Sequence, residues 1–400
     1  MKEHYVLAID VAKGKSMVSL ISFCGEILIN PYEINHTLND FKDLDDRIRK
    51  LNVFNDTAVI MESTGIYQMP VKRFFLENNY NIYVINPMYS KMYRKNLRKT
   101  KTDKEDCLKL AELFFIKDFK EYIEPAQYYL NLNAMGRKYN TLIEAQTKLK
   151  NEFRNGVYEV FPEYENIFKG NLIFSNTSLE FIKKYPHADI IKNTRVDALA
   201  NTMANLNKRH KNYYLRKAKL IKEYASNSYP SISKNDQKVD NLLITINLLK
   251  KYTNIIENHK NKMIEKAKRS YMFELINSIN GIGEFTTSLI IAELGDISRF
   301  NNIKQLTAYC GLDPSIKQSG SSINIGGPIS KSGNRYIRRI LFVTVQNIIP
   351  IASRNFPDND ILLYYRKKRN EGKHHYASIV ACTTKLLRKI LALCKQSNTQ

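Results

Sequence analysis

Tyr5-Val6-Leu7-Ala8-Ile9-Asp10 is an apolar run that stops on a carboxylate, and Ala58-Val59-Ile60-Met61-Glu62 repeats the pattern. Short runs of this composition, bounded by turn residues, read as strands. A carboxylate at the end of a buried strand costs desolvation, so it needs a compensating task. Asp103 and Asp106, in Lys101-Thr102-Asp103-Lys104-Glu105-Asp106, open a helical segment and share one helix face. Glu105 points elsewhere. Mg²⁺ takes a few carboxylate oxygens together with phosphate and water. Two such ions can stabilise both the attacking and the leaving oxygen at phosphorus. The plainer reading of Asp103 is a helix cap and of Asp106 a solvated first-turn acid, where the helix dipole favours negative charge. Asp10 and Glu62 have no such plain reading.

Working outward, residues 5–10, about 16–23 and 26–30 read as three strands, the last two meeting at Cys24-Gly25. Phe41, Leu44, Ile48 and Leu51 have helical spacing. A strand over 57–62, a break at Thr64-Gly65, a helix over about 68–78 and a strand over 81–85 closed by Asn86-Pro87 follow. The order βββαβαβα is that of the ribonuclease H-like fold, which includes the RuvC-like junction resolvases. It predicts Asp10 on the first strand and Glu62 on the fourth, where two acids of that fold meet.

Helices are expected from 103 to 118 and across 127–165, stopped near Phe161-Pro162. From 194 to 270 the pattern is polar, charged and helical, with an apolar stripe at Leu242, Leu243, Ile246, Leu249 and Ile256. This middle reads as a helical spacer, a coiled coil and a dimerisation element. Beyond 271, helices are expected at about 285–294, 335–349, 359–371 and 376–394, around a turn-rich run at 311–334. The expected architecture is α/β plus α. It comprises a ribonuclease H-like (RuvC-like) domain over 1–120, a helical or coiled-coil middle over 121–270, and a small, mainly helical domain over 271–395.

The 400 residues allow two or three domains, and a net charge of +23 calls for a polyanionic partner, most simply nucleic acid. No run approaches the roughly 20 apolar residues of a spanning helix, so no membrane role is expected. Met1-Lys2-Glu3-His4 leads straight into a strand, without a signal-peptide pattern. The five scattered cysteines include no CxxC pair. They read as reduced thiols of a cytoplasmic protein, not as a disulfide frame or a zinc site.

Just before the helical acids, Lys91, Arg94, Lys95, Arg98, Lys99 and Lys101 alternate with Tyr89 and Tyr93. Such cations neutralise phosphates and tyrosine stacks on unpaired bases, although a solvated helix face has the same composition. Gly281-Ile282-Gly283 between two helical segments is compatible with a helix-hairpin-helix turn or with a plain one. Gln318-Ser319-Gly320-Ser321-Ser322 and Ile329-Ser330-Lys331-Ser332-Gly333-Asn334 set serines among glycines, with Arg335, Arg338 and Arg339 following on a helix. A serine that attacks phosphate needs an exposed hydroxyl and cations for the developing charge. Ordinary loops share that composition.

These motifs together resemble the DEDD insertion-sequence transposases, the IS-one-ten family with its IS-eleven-eleven branch. The resemblance runs through Ala8-Ile9-Asp10-Val11-Ala12-Lys13, Met61-Glu62-Ser63-Thr64-Gly65-Ile66-Tyr67, Val84-Ile85-Asn86-Pro87 and the segment holding Asp103 and Asp106. It resumes at Ser278-Ile279-Asn280-Gly281-Ile282-Gly283, Ala308-Tyr309-Cys310-Gly311-Leu312-Asp313-Pro314, Gln318-Ser319-Gly320 and Ile329 to Asn334. It implies a recombinase in which Asp10, Glu62, Asp103 and Asp106 bind Mg²⁺ or Mn²⁺. Ser319 would be the nucleophile, with Ser321 and Ser322 within register error. The partners implied are donor and target DNA and, in some members, an element-encoded guide RNA. A homodimer or homotetramer would join acids of one subunit to the serine of another. The competing expectations are a hydrolytic Holliday-junction resolvase using the same acids with water, and a non-catalytic nucleic-acid-binding protein.

Overall fold

The computed structural model describes residues 4–87, 102–206, 211–319 and 322–396. The chain forms two compact units, Met1–Glu124 and Pro125–Gln400.

The first unit is built on five strands: β1 (Tyr5–Val11), β2 (Lys15–Ser22), β3 (Ile27–Asn35), β4 (Thr57–Glu62) and β5 (Asn81–Ile85). Their order in the sheet is β3-β2-β1-β4-β5. β1, β2 and β3 pair antiparallel, whereas β4 runs parallel to both β1 and β5. A parallel return needs a crossover. The helix α1 (Leu38–Lys50) supplies it, started by Thr37, whose side chain accepts from the Asp40 N–H. α2 (Gln68–Glu77) makes the next crossover and α3 (Asp103–Ile116) follows β5.

Alternation along the strands sorts their side chains onto two faces. Leu7, Ile9, Val59 and Met61 join a core with Phe41, Leu44, Val71 and Phe75 of α1 and α2. Val6, Ala8, Ala58 and Ile60 join a second core with Cys107, Leu110, Ala111 and Phe114 of α3. Every residue of β4 is buried, as befits a central strand covered on both faces. The sheet order and the helices on both faces are those of the ribonuclease H-like fold expected from the element order.

The second unit is mainly helical. Its long members are α4 (Gln127–Val160) and, after the short helices α5 (Tyr164–Ile167), α6 (Asn176–Lys184), α7 (Ala188–Asn193), α8 (Val196–Asn205) and α9 (Lys211–Asn227), the helix α10 (Gln237–Ala267). α4 ends at Val160 because Pro162 lacks an N–H and restricts Phe161. α4 and α10 run antiparallel: Lys238 meets Glu159 at one end, and the Tyr128 hydroxyl donates to the Lys266 carbonyl at the other. The stripe at Leu242, Ile246 and Leu249 is therefore covered within the chain, in a core with Phe153, Val157 and the short helices. The opposite face of α10 leaves Ile244, Leu248 and Ile255 exposed.

The near ends of α4 and α10 belong to another core. Leu132, Met263 and Ala267 pack with α11 (Met272–Asn277), α12 (Glu284–Leu294), α13 (Ile303–Cys310), α14 (Arg335–Asn355), α15 (Asp360–Asn370) and α16 (His375–Gln396). The segments expected as a spacer and a separate domain thus share apolar packing. The run 311–334, expected to be turns, holds an antiparallel ribbon of β6 (Pro314–Ser319) and β7 (Ser322–Ile329). Its Gly and Ser content hides the strand signal, which survives only in alternations such as Ile323-Asn324-Ile325. Among the described residues no helix is long and apolar enough to cross a membrane.

Candidate active site

β1 and β4 are in parallel register, with Ile9 opposite Met61. The next residues are Asp10 and Glu62, on neighbouring strands about 4.8 Å apart. By alternation both belong to the face of Ala8 and Ile60, the face that α3 covers. Glu62 is buried and Asp10 half-buried.

The start of α3 is fixed beside them. Thr102 caps it, accepting from the Glu105 N–H at 3.3 Å, so Asp103 is released from the capping role open to it in the sequence. The Cys107 thiol donates to the carbonyls of Ala8 (3.3 Å) and Met17 (3.4 Å). Burial pushes this thiol up to about 12, and the negative charge of Asp10 adds to the rise. Asp106, one residue earlier, is buried, while Asp103 is exposed. Asp103 acts on Lys15, whose ammonium is held above its ordinary range first by its ion pair with Glu33 (2.7 Å).

The fold thus sets Asp10 beside Glu62 and anchors the first turns of α3 next to Asp10. Among the described residues no three His, Cys, Asp or Glu side chains form a metal-holding group. An oxygen-only pair still fits Mg²⁺, which commonly binds one or two carboxylates and completes its shell with water and substrate phosphate. Elsewhere in this unit, buried Asp45 accepts from Tyr80 (2.6 Å) and Arg49 (2.8 Å). Lys91, Arg94, Lys95, Arg98, Lys99 and Lys101 lie outside the described residues.

In the second unit, Ser319 ends β6 and pairs with Ser322 at the start of β7. Beneath the ribbon, Gly311 and Gly333 cross closely. A Cβ on Gly333 would stand 2.3 Å from the Tyr309 carbonyl oxygen and 2.3 Å from the Gly311 nitrogen. Ser330 donates its hydroxyl to Asp313 Oδ1 (2.7 Å), which ties it into the turn. Arg338 donates to the Cys310 carbonyl (3.0 Å), whereas Arg335 and Arg339 are exposed. Gly281, at φ +93°, is pressed against Ile348 of α14, so packing alone accounts for a glycine there.

Glu293 is the residue that sequence reasoning missed. It is 2% exposed, and its Oε2 accepts from Arg137 (2.9 Å) and Asn334 Nδ2 (2.9 Å). The oxygen of the Asn334 side chain accepts from the N–H groups of Tyr336 and Ile337, capping α14. Tyr309 donates to the Glu293 carbonyl at 2.8 Å. Burial raises the Glu293 carboxyl above its ordinary range, against the opposing pull of Asn334 and Arg137. Its signal was an acid inside the apolar run Leu289-Ile290-Ile291-Ala292-Glu293-Leu294.

Two family models match this chain. The DEDD transposase domain of IS110 elements, described as a transposase, covers residues 7–162. A transposase domain of the IS116/IS110/IS902 family covers residues 273–358. The chain belongs to the IS110 family of transposases. Both family domains are present, in order, around the helical middle. The chain is 23% identical over 344 residues to the pilin gene-inverting protein of Moraxella lacunata, spanning 85% of this chain and 80% of that protein. It is 20% identical over 383 residues to an insertion element IS116 protein of Streptomyces clavuligerus, spanning 94% and 90%. It is also similar to the transposase for insertion sequence element IS1111A of Coxiella burnetii, 34% identical over 86 residues, spanning 22% and 23%. Among solved structures, Thermus thermophilus RuvC with a Holliday junction substrate aligns at TM-score 0.22 and 15% identity, over 30% of this chain and 99% of that one. At that score the likeness adds nothing to the fold read from sheet order.

Proposed function

We propose that this transposase is a divalent-metal-dependent DNA recombinase that moves its own element through a phosphoserine intermediate, directed by an element-encoded guide RNA. The observation that carries the reading is the register that sets Asp10 beside Glu62 under the start of α3. With the acids of α3, this pair would hold Mg²⁺ or Mn²⁺, which supplies Lewis-acid stabilisation of charge at the scissile phosphate. The Ser319 hydroxyl attacks phosphorus and gives up its proton. The bond from phosphorus to the leaving DNA oxygen breaks, and that oxygen is protonated. A DNA hydroxyl from the exchange partner then attacks the serine-linked phosphate and frees Ser319. Each phosphodiester broken is replaced, so no external energy source is needed. The tie between Ser330 and Asp313 supports Ser319 or Ser322 over Ser330 as nucleophile.

Arg335 and Arg339, exposed at the start of α14, supply cations for DNA phosphates, and the net charge of +23 suits both nucleic acids. Exchange between two duplexes requires several cleavages, hence a homodimer or homotetramer. Exposed Ile244, Leu248 and Ile255 on α10, at heptad-compatible spacing, support self-association there. Guide-RNA use rests on the family resemblance.

Purified protein, Mg²⁺, element junction DNA and the flanking RNA, denatured after reaction, should give protein-linked DNA. The adduct should be absent in Ser319→Ala and in Asp10→Ala. Cleavage without an adduct, unchanged in Ser319→Ala, would replace this reading with hydrolytic junction resolution by the same acids. Peptide mapping of the adduct identifies the serine.

A further inference from the structure

The corner between α15 and α16 carries cations and rings that the proposed chemistry leaves unused. Arg366, Lys367 and Arg369 end α15, Lys373 lies in the turn, and all four are exposed. The one acid within the corner, Glu371, is taken by Lys368 at 2.7 Å. The turn itself is braced. Gly372 has φ +79°, and Arg369 donates to the Lys373 carbonyl at 2.7 Å.

Aromatic rings cluster in the same corner. Tyr376 is 57% exposed and lies nearly parallel to Phe342, with centroids 6.3 Å apart. His374 and His375 contact Tyr376, and Tyr365 hydrogen-bonds His375 Nδ1 at 2.8 Å. Tyr376 is thus backed by Phe342 and held by its histidine neighbours while more than half its surface stays open. An exposed ring held in place in a corner rich in exposed cations is the arrangement that tracks a phosphodiester backbone and stacks its unpaired bases. A merely solvating surface needs the charges but not the rings.

We infer that the α15–α16 corner binds a single-stranded stretch of nucleic acid, Arg366, Lys367 and Lys373 on its phosphates and Tyr376 against a base. This rests on the nucleic-acid reading above and extends it to residues beyond Arg335 and Arg339, starting one helical turn away at Phe342. DNA and RNA share the chemistry recognised here, so the test carries both.

The full chain is titrated against labelled single strands and duplexes of one sequence, as DNA and as RNA, over a range of salt. A triple variant, Arg366→Gln with Lys367→Gln and Lys373→Gln, spares Arg369 because it braces the turn. It should flatten the salt dependence of log K for single strands by about 2, at about 0.7 per lost phosphate contact. Tyr376→Ala should weaken single strands about tenfold and duplexes little, with Tyr376→Phe restoring binding. Unchanged affinity and slope in both variants would overturn this surface. If Arg335→Gln with Arg339→Gln lowered affinity in that case, the nucleic-acid reading would stand. Failure of the wild type to bind any strand would remove that reading itself. Equal losses on single strands and duplexes in Tyr376→Ala would overturn base stacking. Whichever of DNA or RNA loses more in the triple variant names the strand.

Discussion

Asp10 and Glu62 are placed by strand register, whereas the ribbon bearing Ser319 is placed by a knot of backbone and polar contacts beneath it. In the first unit, β1 and β4 are buried strands whose pairing sets the two acids side by side. A slip of one residue would turn every apolar side chain to the wrong face, so the core itself enforces the acid pair. In the second unit, the ribbon sets its isoleucines among glycine, serine and other polar residues. Its base is pinned instead by Gly311 crossing Gly333, by Ser330 on Asp313, and by Asn334 joining the α14 cap to buried Glu293. One site inherits its geometry from packing, the other from hydrogen bonds in a low-dielectric interior, where partial satisfaction is costly.

The comparison can be broken at the ribbon. Gly333→Ala should destabilise the second unit by about 3 kcal/mol, because the added carbon meets backbone rather than a yielding side chain. Urea unfolding should show the second unit's transition moving to lower denaturant while the first unit's stays. Equal stability would mean that the crossing is not the pin.

A smaller effect is expected at Glu293, and it depends on pH. Burial raises this carboxyl above its ordinary 4.5. A group raised on folding gives stability that is complete below its unfolded value and lost as pH rises through the folded one. Glu293→Gln does not ionise. Its stability relative to wild type should therefore improve as pH rises from below 4.5 toward neutrality, in urea midpoints measured across that range. A gap that stays flat, or moves the other way, would mean that the ion pair with Arg137 outweighs burial.

The same contrast explains what the sequence made legible. Strand alternation and the crossover helices exposed the first unit, down to the strands that carry Asp10 and Glu62, since burial writes apolar periodicity directly into the chain. The stripe on α10 was equally visible, but periodicity does not say what covers it, and here α4 does. The ribbon at 314–329 stayed hidden, because glycine and serine serve turns and weak strands alike. Glu293 escaped notice because its partners Arg137 and Asn334 are distant in sequence and meet only in the fold. Thr102, not Asp103, capping α3 is a one-residue distinction that only backbone geometry makes.

The central claim is that strand register makes Asp10 and Glu62 one cation site. Mn²⁺ binding, followed by electron paramagnetic resonance in the absence of DNA, tests it most directly in wild type, Asp10→Asn and Glu62→Gln. The account predicts saturable binding by the wild type and a loss of affinity of at least about tenfold in each variant, with the fold intact by circular dichroism. Wild-type affinity retained in both variants would contradict it.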